Sequence, residues 1–260
     1  MEFPFNPVER AEAVEKIVMK NNKRKYYRFR FAPYYGGIVT ADTIGCCFLC
    51  AYCWNYFRNL KPENFGEFFS PEEVVEKLIR IAERKNCNKF RVSGGEPILG
   101  SSSFSHLLRI LELIKEKFRK FRRFEFIIET NGLILGYYPE LIKNLKEFKN
   151  FIFVRISIKG WDEDSFEKVS GAKKEYFTYP VEALKNLKKN GIVAWPAIMY
   201  EIFGDNGLRK IKEKLKNEGI ETEVEVEYLE RYSFVEENLR KRGFGVYKAS
   251  RLSYDCITKL

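Results

Sequence analysis

Strand-like and helix-like segments alternate six times along this 260-residue chain. The strand-like segments are short, and several are almost continuously apolar, as in "FEFIIETNG" and "FIFVRISIKG". Parallel strands that are buried on both faces have this composition, and they need helical crossovers between them. The alternation therefore predicts an α/β fold with a parallel sheet. The predicted strands cover residues 37–43, 88–97, 124–132, 151–160, 191–200 and 221–229.

Amphipathic segments between the strands predict the helices. The clearest is "SPEEVVEKLIRIAER", in which Ser70 can cap the helix, Pro71 suits the first turn and Glu73 completes a capping box. Its apolar residues recur at helical spacing and predict a buried stripe. Further helices are predicted over residues 7–22, 104–118, 138–148 and 206–219, with helical segments over 162–190.

The chain shows no linker rich in Pro, Gly and Ser, and no internal repeat. We therefore predict one partial (βα)6 TIM-like barrel with a parallel sheet, open or nearly closed, over residues 35–230. Residues 1–34 are predicted as an N-terminal helix and extension, and residues 231–260 as a C-terminal tail that packs on the core. In such folds the loops that follow the strands build the active site.

Four of the six cysteines lie in one loop, "CCFLCAYCWN", which follows the first predicted strand. Two disulfides within so short a loop would be strained, and the first residues do not resemble a secretory signal. A closed zinc site needs four ligands, usually as two pairs, and no second CxxC pair follows. If Cys47 is set aside, Cys46, Cys50 and Cys53 form a CxxxCxxC triplet. Three thiolates can hold three irons of a 4Fe-4S cluster and leave the fourth iron open for chemistry.

Two motifs together resemble those of radical S-adenosylmethionine enzymes: the CxxxCxxC triplet after the first strand and "GGEP" after the second. The resemblance covers about residues 35–230. It implies that Cys46, Cys50 and Cys53 bind a 4Fe-4S cluster whose open iron chelates S-adenosylmethionine. Reductive cleavage of that cofactor would give methionine and a 5′-deoxyadenosyl radical, which abstracts hydrogen from a substrate.

The same resemblance implies contacts between the protein and S-adenosylmethionine. "ETNG" and "SIKG", at the ends of the third and fourth strands, resemble glycyl-radical activating enzymes and 7-carboxy-7-deazaguanine synthases. An aromatic residue before the third cysteine is expected near the adenine, and the GGE residues near the methionine amino group. The residues expected to contact the cofactor are Tyr52, Gly94, Gly95, Glu96, Glu129, Asn131, Ser157 and Lys159.

Three functions remain open from the sequence. The first is a radical enzyme that acts on a protein or peptide, in the manner of activating enzymes. The second is a radical enzyme that modifies tRNA or a nucleobase-derived small molecule, which the net charge of +10 and the basic, aromatic stretches Lys20–Arg30 and Lys115–Arg123 favour. A Lys/Glu-rich composition of the kind favoured at high temperature is the alternative explanation of that charge. The third is a non-enzymatic iron–sulfur or zinc protein, with a fourth ligand from Cys47, Cys87 or Cys256.

Several residues carry expectations outside these motifs. Cys47 is expected as a small buried residue, Cys87 in the core and Cys256 in the tail. His106, the only histidine, is expected on a helix surface or at a cap. The last strand places three carboxylates on one face, which we expect to face water: Glu223, Glu225 and Glu227.

The composition also bears on location and partners. No apolar run approaches the roughly 18 residues of a membrane span, so we expect a soluble, cytoplasmic protein without a membrane partner. A radical S-adenosylmethionine enzyme needs a low-potential electron donor, such as flavodoxin or ferredoxin. The oligomeric state is not predicted.

Overall fold

The computed structural model describes residues 2–118 and 123–245. Within these ranges nine strands form one sheet. The strands are β1 (Met19–Lys20), β2 (Lys23–Ala32), β3 (Ile38–Thr43), β4 (Glu67–Phe69), β5 (Lys89–Ser93), β6 (Glu125–Thr130), β7 (Ile152–Ser157), β8 (Val193–Met199) and β9 (Glu225–Glu227). The helices are α1 (Pro7–Val18), α2 (Tyr56–Leu60), α3 (Pro71–Lys85), α4 (Ser101–Phe118), α5 (Leu133–Tyr137), α6 (Ile142–Leu145), α7 (Glu163–Ser170), α8 (Thr178–Lys189), α9 (Tyr200–Asn217) and α10 (Ser233–Lys241). Short 3₁₀ turns cover residues 34–36, 62–64, 139–141, 146–148 and 174–177.

The sheet is mostly parallel and is not closed. Its order is β1-β2-β3-β5-β6-β7-β8-β9, and β4 pairs with β2 outside this path. β3 and the five strands β5 to β9 are parallel neighbours. They correspond to the six predicted strands, so the predicted α/β fold with a parallel sheet is confirmed. Among the described residues β9 pairs with β8 alone, which leaves the barrel partial.

Strand β2 is not among the predicted strands, because its sequence is rich in cations. It makes up most of the basic stretch Lys20–Arg30 and pairs antiparallel with β3. Arg24 is 1% exposed and donates to the carbonyls of Ile44 and Glu96 at 3.2 and 2.7 Å. Lys25 is also buried and donates to two backbone carbonyls of the turn at residues 62–64. Part of the stretch that suggested a nucleic-acid surface is therefore internal to the fold.

Helix α3 shows how the local sequence sets a helix that covers the sheet. The Ser70 hydroxyl accepts a hydrogen bond from the Glu73 N–H at 3.2 Å, and the Glu73 carboxylate accepts one from the Ser70 N–H at 2.7 Å. The predicted capping box is confirmed. Val74, Val75 and Leu78 are buried and face β2 and β3. The cap thus sets where the helix begins, and the apolar spacing sets which side of it is buried.

Other element boundaries differ from the prediction. Helix α9 begins at Tyr200, with a kink at Gly204, whose φ of 59° suits glycine. The helix predicted over 138–148 is replaced by α6 between two 3₁₀ turns. The last strand is shorter than predicted, because only Glu225–Glu227 pair with β8.

The segment after β9 returns to the core through α10. Val235 and Leu239 of this helix are fully buried. Cys256 lies outside the described residues, as do residues 119–122 of the second basic stretch, Lys115–Arg123. None of the described helices combines the length and the apolar character that crossing a membrane requires.

His106 is buried, so the expectation of a surface or capping position is wrong. The residue lies on α4 and is 4% exposed. Its Nδ1 is 3.0 Å from the Asn22 carbonyl oxygen, and its Nε2 is 3.1 Å from the Tyr26 hydroxyl. A carbonyl can only accept, so Nδ1 carries the proton and Nε2 accepts from Tyr26. Burial lowers the pKa of His106 to about 4.

We predict that the unfolding free energy falls as the pH is lowered from about 6.5 to about 4. In this range the unfolded chain binds a proton at His106 that the folded chain does not bind, so stability is lost toward acid. When the pH has fallen below the folded-state pKa, His106 has lowered the unfolding free energy by about 3 kcal/mol. Urea unfolding curves at several pH values measure it.

His106→Gln is the matched control, because the chain contains no other histidine. Carboxylates contribute equally to the acid dependence of both proteins. The parent should therefore lose more stability than the variant between the two pH values. An identical pH dependence in parent and variant would contradict the assigned environment of His106.

Candidate active site

The cysteine-rich loop is anchored at the C-terminal end of β3. The backbone N–H groups of Leu49 and Ala51 donate to carbonyls at the end of α7 at 2.9 and 2.8 Å. Arg242, which directly follows α10, donates to the Leu49 carbonyl at 2.7 Å. Backbone and guanidinium bonds from two distant elements therefore hold the loop in one place.

Two of the three cysteines of the predicted triplet, Cys46 and Cys53, lie near N–H donors. The Phe48 N–H is 3.4 Å from the Cys46 sulfur, and the Asn59 amide nitrogen is 3.6 Å from the Cys53 sulfur. Cys50 is 7% exposed, and the other two are half-buried. N–H donors stabilise thiolates, which is the form that binds iron. Three shielded thiols on one loop fit the predicted 4Fe-4S cluster, in which each would bind a different iron.

The thiols differ in acidity in the metal-free chain. A hydrogen bond from the Cys47 thiol, aided by the Phe48 N–H, lowers the pKa of Cys46 to about 7 against the effect of burial. Burial raises the pKa of Cys50 to about 12 and that of Cys53 to about 11. Among the described residues no three His, Cys, Asp or Glu side chains are grouped as ligands of a single ion.

Two glycines bring the GGEP turn against the end of β3. Gly94 has a φ of 88°, and a Cβ on Gly95 would lie 2.4 Å from the Gly45 carbonyl oxygen. The Gly95 N–H donates to the Thr43 carbonyl at 2.9 Å, and the Glu96 N–H donates to the Gly45 carbonyl at 2.7 Å. Only glycine permits this approach of two backbones. The turn after the second predicted strand is therefore joined to the base of the cysteine loop.

The Glu96 carboxylate connects the GGEP turn to the end of β6. It is 3% exposed and accepts hydrogen bonds from the Thr130 hydroxyl at 2.6 Å and the Asn131 N–H at 2.8 Å. It also accepts from the Ile98 N–H at 3.0 Å. Burial, and next the nearby Cys46 sulfur, raise the pKa of Glu96 to about 8. All three donors belong to the protein, and the expected contact of Gly94, Gly95 and Glu96 with the methionine amino group stays a prediction.

Asn131 links the end of β6 to the cysteine loop. Its amide nitrogen lies 3.1 Å from the Cys47 sulfur and 3.8 Å from the Cys46 sulfur. Its side-chain oxygen accepts from the Leu133 N–H at 2.9 Å. Cys47 is fully buried, as expected. Cys87, expected in the core, is half-buried and packs against the edge of the core, outside the cysteine loop.

Tyr52 and Lys159 meet beside the second cysteine of the triplet. The Lys159 ammonium lies 5.3 Å from the centre of the Tyr52 ring, a cation–π geometry. Burial alone would lower the pKa of Lys159, but Tyr52, Cys50 and Glu227 raise it above its ordinary value. Lys159 therefore stays protonated, just after the C-terminal end of β7.

Alternate residues of the central strands form a polar face of the sheet, opposite the helices. We define the polar face as Thr40, Asp42, Arg91, Ser93, Glu129, Arg155 and Ser157. The residues between them, such as Val92 and Ile128, belong to the main core beneath the helices. The period of two along each strand separates the faces.

Glu129 and Ser157, both expected to contact the cofactor, are bonded to neighbours on this polar face. Glu129 accepts from Arg91 at 2.9 Å and from the Ser93 hydroxyl at 2.5 Å. Burial alone would raise the pKa of Glu129, but Arg91 and Arg155 hold it below its ordinary value. The Ser157 hydroxyl accepts from Arg155 at 3.1 Å.

Carboxylates from three strands neutralise the arginines at the polar face. Asp42 accepts from Arg28 and Arg30 of β2 at 2.7 and 2.9 Å. Arg155 pairs with Glu225 at 3.1 Å and with Glu227 at 2.9 Å, so the expectation that these two glutamates face water is wrong. Glu223 is exposed.

The sequence analysis does not single out Thr130, Arg91 and Arg155, yet they organise the site. Both arginines occupy polar-face positions and stand between apolar residues in the strands "KFRVS" and "IFVRIS". A charge at a buried alternate position is the signal that could have located them. Thr130 carries no such signal, because its partner Glu96 lies on a different loop.

We predict that Thr130→Val lowers the unfolding free energy of the metal-free chain by about 1 to 3 kcal/mol. The change keeps the shape of the side chain and removes the hydroxyl, which donates to Glu96 and accepts from the Gly132 N–H. Urea denaturation measures the loss. Thr178→Val at the exposed start of α8 is the control and should be close to neutral. Equal effects of the two substitutions would contradict the structural role of the Thr130 hydroxyl.

Comparison with known proteins agrees with this geometry. The family model of the Radical SAM superfamily matches residues 41–217. A Thermoplasma volcanium protein named as a probable GTP 3′,8-cyclase is 30% identical over 126 residues, which is 48% of this chain and 33% of that protein. A Methanocaldococcus jannaschii protein, named among glycyl-radical enzyme activating enzymes, is 28% identical over 126 residues, which is 48% of this chain and 41% of that protein. The chain thus spans less than half the length of these two relatives.

A solved structure shares the fold. It is described as native anSMEcpe with bound AdoMet and Cp18Cys peptide, and it superposes with a TM-score of 0.54 at 18% identity. The superposition covers 73% of this chain and 52% of that one. The fold is a partial TIM-like barrel. The chain belongs to the radical S-adenosylmethionine superfamily, whose cofactors are a 4Fe-4S cluster and S-adenosylmethionine.

Proposed function

We propose that this chain is a radical enzyme that abstracts hydrogen from a protein or peptide substrate. One arrangement supports the radical chemistry above all: the thiol loop and the ends of β5, β6 and β7 meet at one end of the sheet. Cys46, Cys50 and Cys53 would hold the cluster, which would supply the electron for reductive cleavage of S-adenosylmethionine to methionine and a 5′-deoxyadenosyl radical. A low-potential carrier such as flavodoxin or ferredoxin provides that electron.

The residues around the cysteine loop bind S-adenosylmethionine and hold the strand ends in position. Lys159 keeps its positive charge and offers it to a carboxylate such as that of S-adenosylmethionine. Tyr52 presents a buried aromatic ring next to this cation. Asn131 and Glu96 hold the strand ends in place, so the loop and the polar face keep a fixed relation.

The charge balance of the polar face favours a substrate with little net charge. Arg28, Arg30, Arg91 and Arg155 are each bonded to a carboxylate. A polyphosphate binds through arginines and lysines whose charge is available to it. In the described part of the chain these four arginines already have partners, which suits a peptide segment better than a nucleoside triphosphate. The relative named for glycyl-radical enzyme activation and the peptide-bound structure agree with this assignment.

A nucleotide is the second candidate substrate. The observation in its favour is the 30% identity to a protein named as a probable GTP 3′,8-cyclase. Modification of tRNA has less support than the sequence suggested, because Arg24 and Lys25 of the first basic stretch are buried.

We predict that the anaerobically reconstituted, dithionite-reduced chain forms 5′-deoxyadenosine from S-adenosylmethionine. Cys50→Ser should reduce the product to background, because one of three iron ligands is lost. Cys87→Ser makes the same chemical change outside the loop and should retain product formation. Mass spectrometry of the nucleoside is the measurement. Equal yields from both variants would contradict the cluster assignment.

We further predict that GTP added to this assay is returned unchanged. The paired arginines of the polar face leave little positive charge for three phosphates. Liquid chromatography with mass spectrometry detects any GTP-derived product, and the single-residue variant Cys50→Ser controls for non-enzymatic decay. A GTP-derived product that forms only when Cys50 is present would contradict the proposed peptide substrate and favour the nucleotide.

A further inference from the structure

Strand β2 has one edge that is only partly covered. β3 pairs with β2 on one side over residues 26–32, and β4 pairs with it on the other side over residues 24–26. Tyr26 pairs with both Thr43 and Glu67, so the two partners lie on opposite edges. Among the described strands none pairs with the second edge over residues 27–32. A bare strand edge presents N–H and C=O groups that an extended chain can pair.

A groove of about 610 Å³ runs along this edge, between β2, β4 and α3. Its aromatic wall includes Tyr26, Phe29 and Phe69, whose rings pack against one another at centroid distances of 5.1 to 6.3 Å. The groove therefore offers apolar surface beside an open row of backbone groups. This combination is what strand addition uses, because backbone pairing gives affinity and side-chain pockets give selectivity.

The opposite wall of the groove is cationic. Lys77, Arg80 and Arg84 recur at spacings of three, four and seven along α3 and line the groove together with Arg28. Lys77 lies over two of the aromatic rings at 5.1 and 5.6 Å. Within residues 2–118 and 123–245, Arg80 pairs with Glu76 alone, and both side chains of that pair are highly exposed. Exposed pairs of this kind are weak. Arg28 is already paired with Asp42, so three cations of α3 face the one lining carboxylate, Glu67. This excess of positive charge makes the groove complementary to acidic side chains.

We propose that the free edge of β2 and the cationic face of α3 dock an extended acidic segment of another polypeptide, which adds as a strand in line with β4. A nucleic acid would use the cations and rings and leave the open backbone edge unused. The C-terminal sequence of this chain, "VYKASRLSYDCITKL", carries more cations than carboxylates and so has the wrong charge for the groove. The occupant is therefore an acidic partner chain.

One end of the docked segment would lie beside the cysteine loop. Tyr27 lines the groove, and its ring lies 6.4 Å from that of Trp54, the residue after Cys53. β2 runs antiparallel to β3, so its start lies at the end of the sheet where the loop is anchored. The inference does not rest on the proposed hydrogen abstraction, because it is tested by binding alone.

The test is fluorescence anisotropy of the full chain with a labelled octapeptide of alternating glutamate and valine. We expect saturable binding that weakens with salt. The double variant Lys77→Glu/Arg84→Glu should weaken it about tenfold or more, because like charges then oppose the peptide. Lys189→Glu/Lys212→Glu reverses two exposed charges on α8 and α9 and should leave binding unchanged.

Backbone pairing is tested on the unmodified protein with two N-methylated peptides, one methylated at all glutamates and one at all valines. At least one should bind about tenfold more weakly, since the N–H groups that face β2 are lost. The inference is overturned if the acidic octapeptide fails to bind or if both methylated forms bind as well as the parent peptide. Tighter binding of single-stranded oligodeoxythymidylate than of the peptide would instead identify a nucleic-acid groove.

Discussion

The site depends on the hydrogen bonds that the buried Glu96 carboxylate accepts. It receives two hydrogen bonds from the end of β6 and one from its own turn, and the backbone of that turn is bonded to the base of the cysteine loop. A buried carboxylate is stable only when protein donors satisfy it. The cost of leaving it unsatisfied therefore forces the ends of β3, β5 and β6 into one arrangement. The thiols of the loop take their positions from that arrangement.

The polar face shows how an incomplete barrel can contain charge. Arg91 and Arg155 are almost fully buried, and their carboxylate partners come from neighbouring strands. Removing one member of such a pair would leave an uncompensated buried charge. The stability of the polar face therefore depends on its charge balance, and the face presents a wall that is polar but nearly neutral.

The strong positive charge of the chain serves several purposes. Some cations are internal: Arg24 and Lys25 donate to carbonyls, and Arg242 donates to carbonyls of the cysteine loop and of the end of α7. A cation at a helix C-terminus also interacts favourably with the helix dipole. The cations of α3 remain on the surface beside an open strand edge. Net charge alone thus does not identify a partner, because its meaning depends on where each cation lies.

The sequence by itself determined the six parallel strands, the α3 cap and the placement of the CxxxCxxC and GGEP motifs at one end of the sheet. These features follow from local periodicity and from the rule that consecutive parallel strands end on the same side. Only the tertiary structure revealed β2, the burial of His106 and the pairing of Arg155 with Glu225. His106 meets Tyr26 across 80 residues, and Arg155 meets Glu225 across 70. A polar residue is buried when a distant partner satisfies it, and local sequence patterns do not contain that partner.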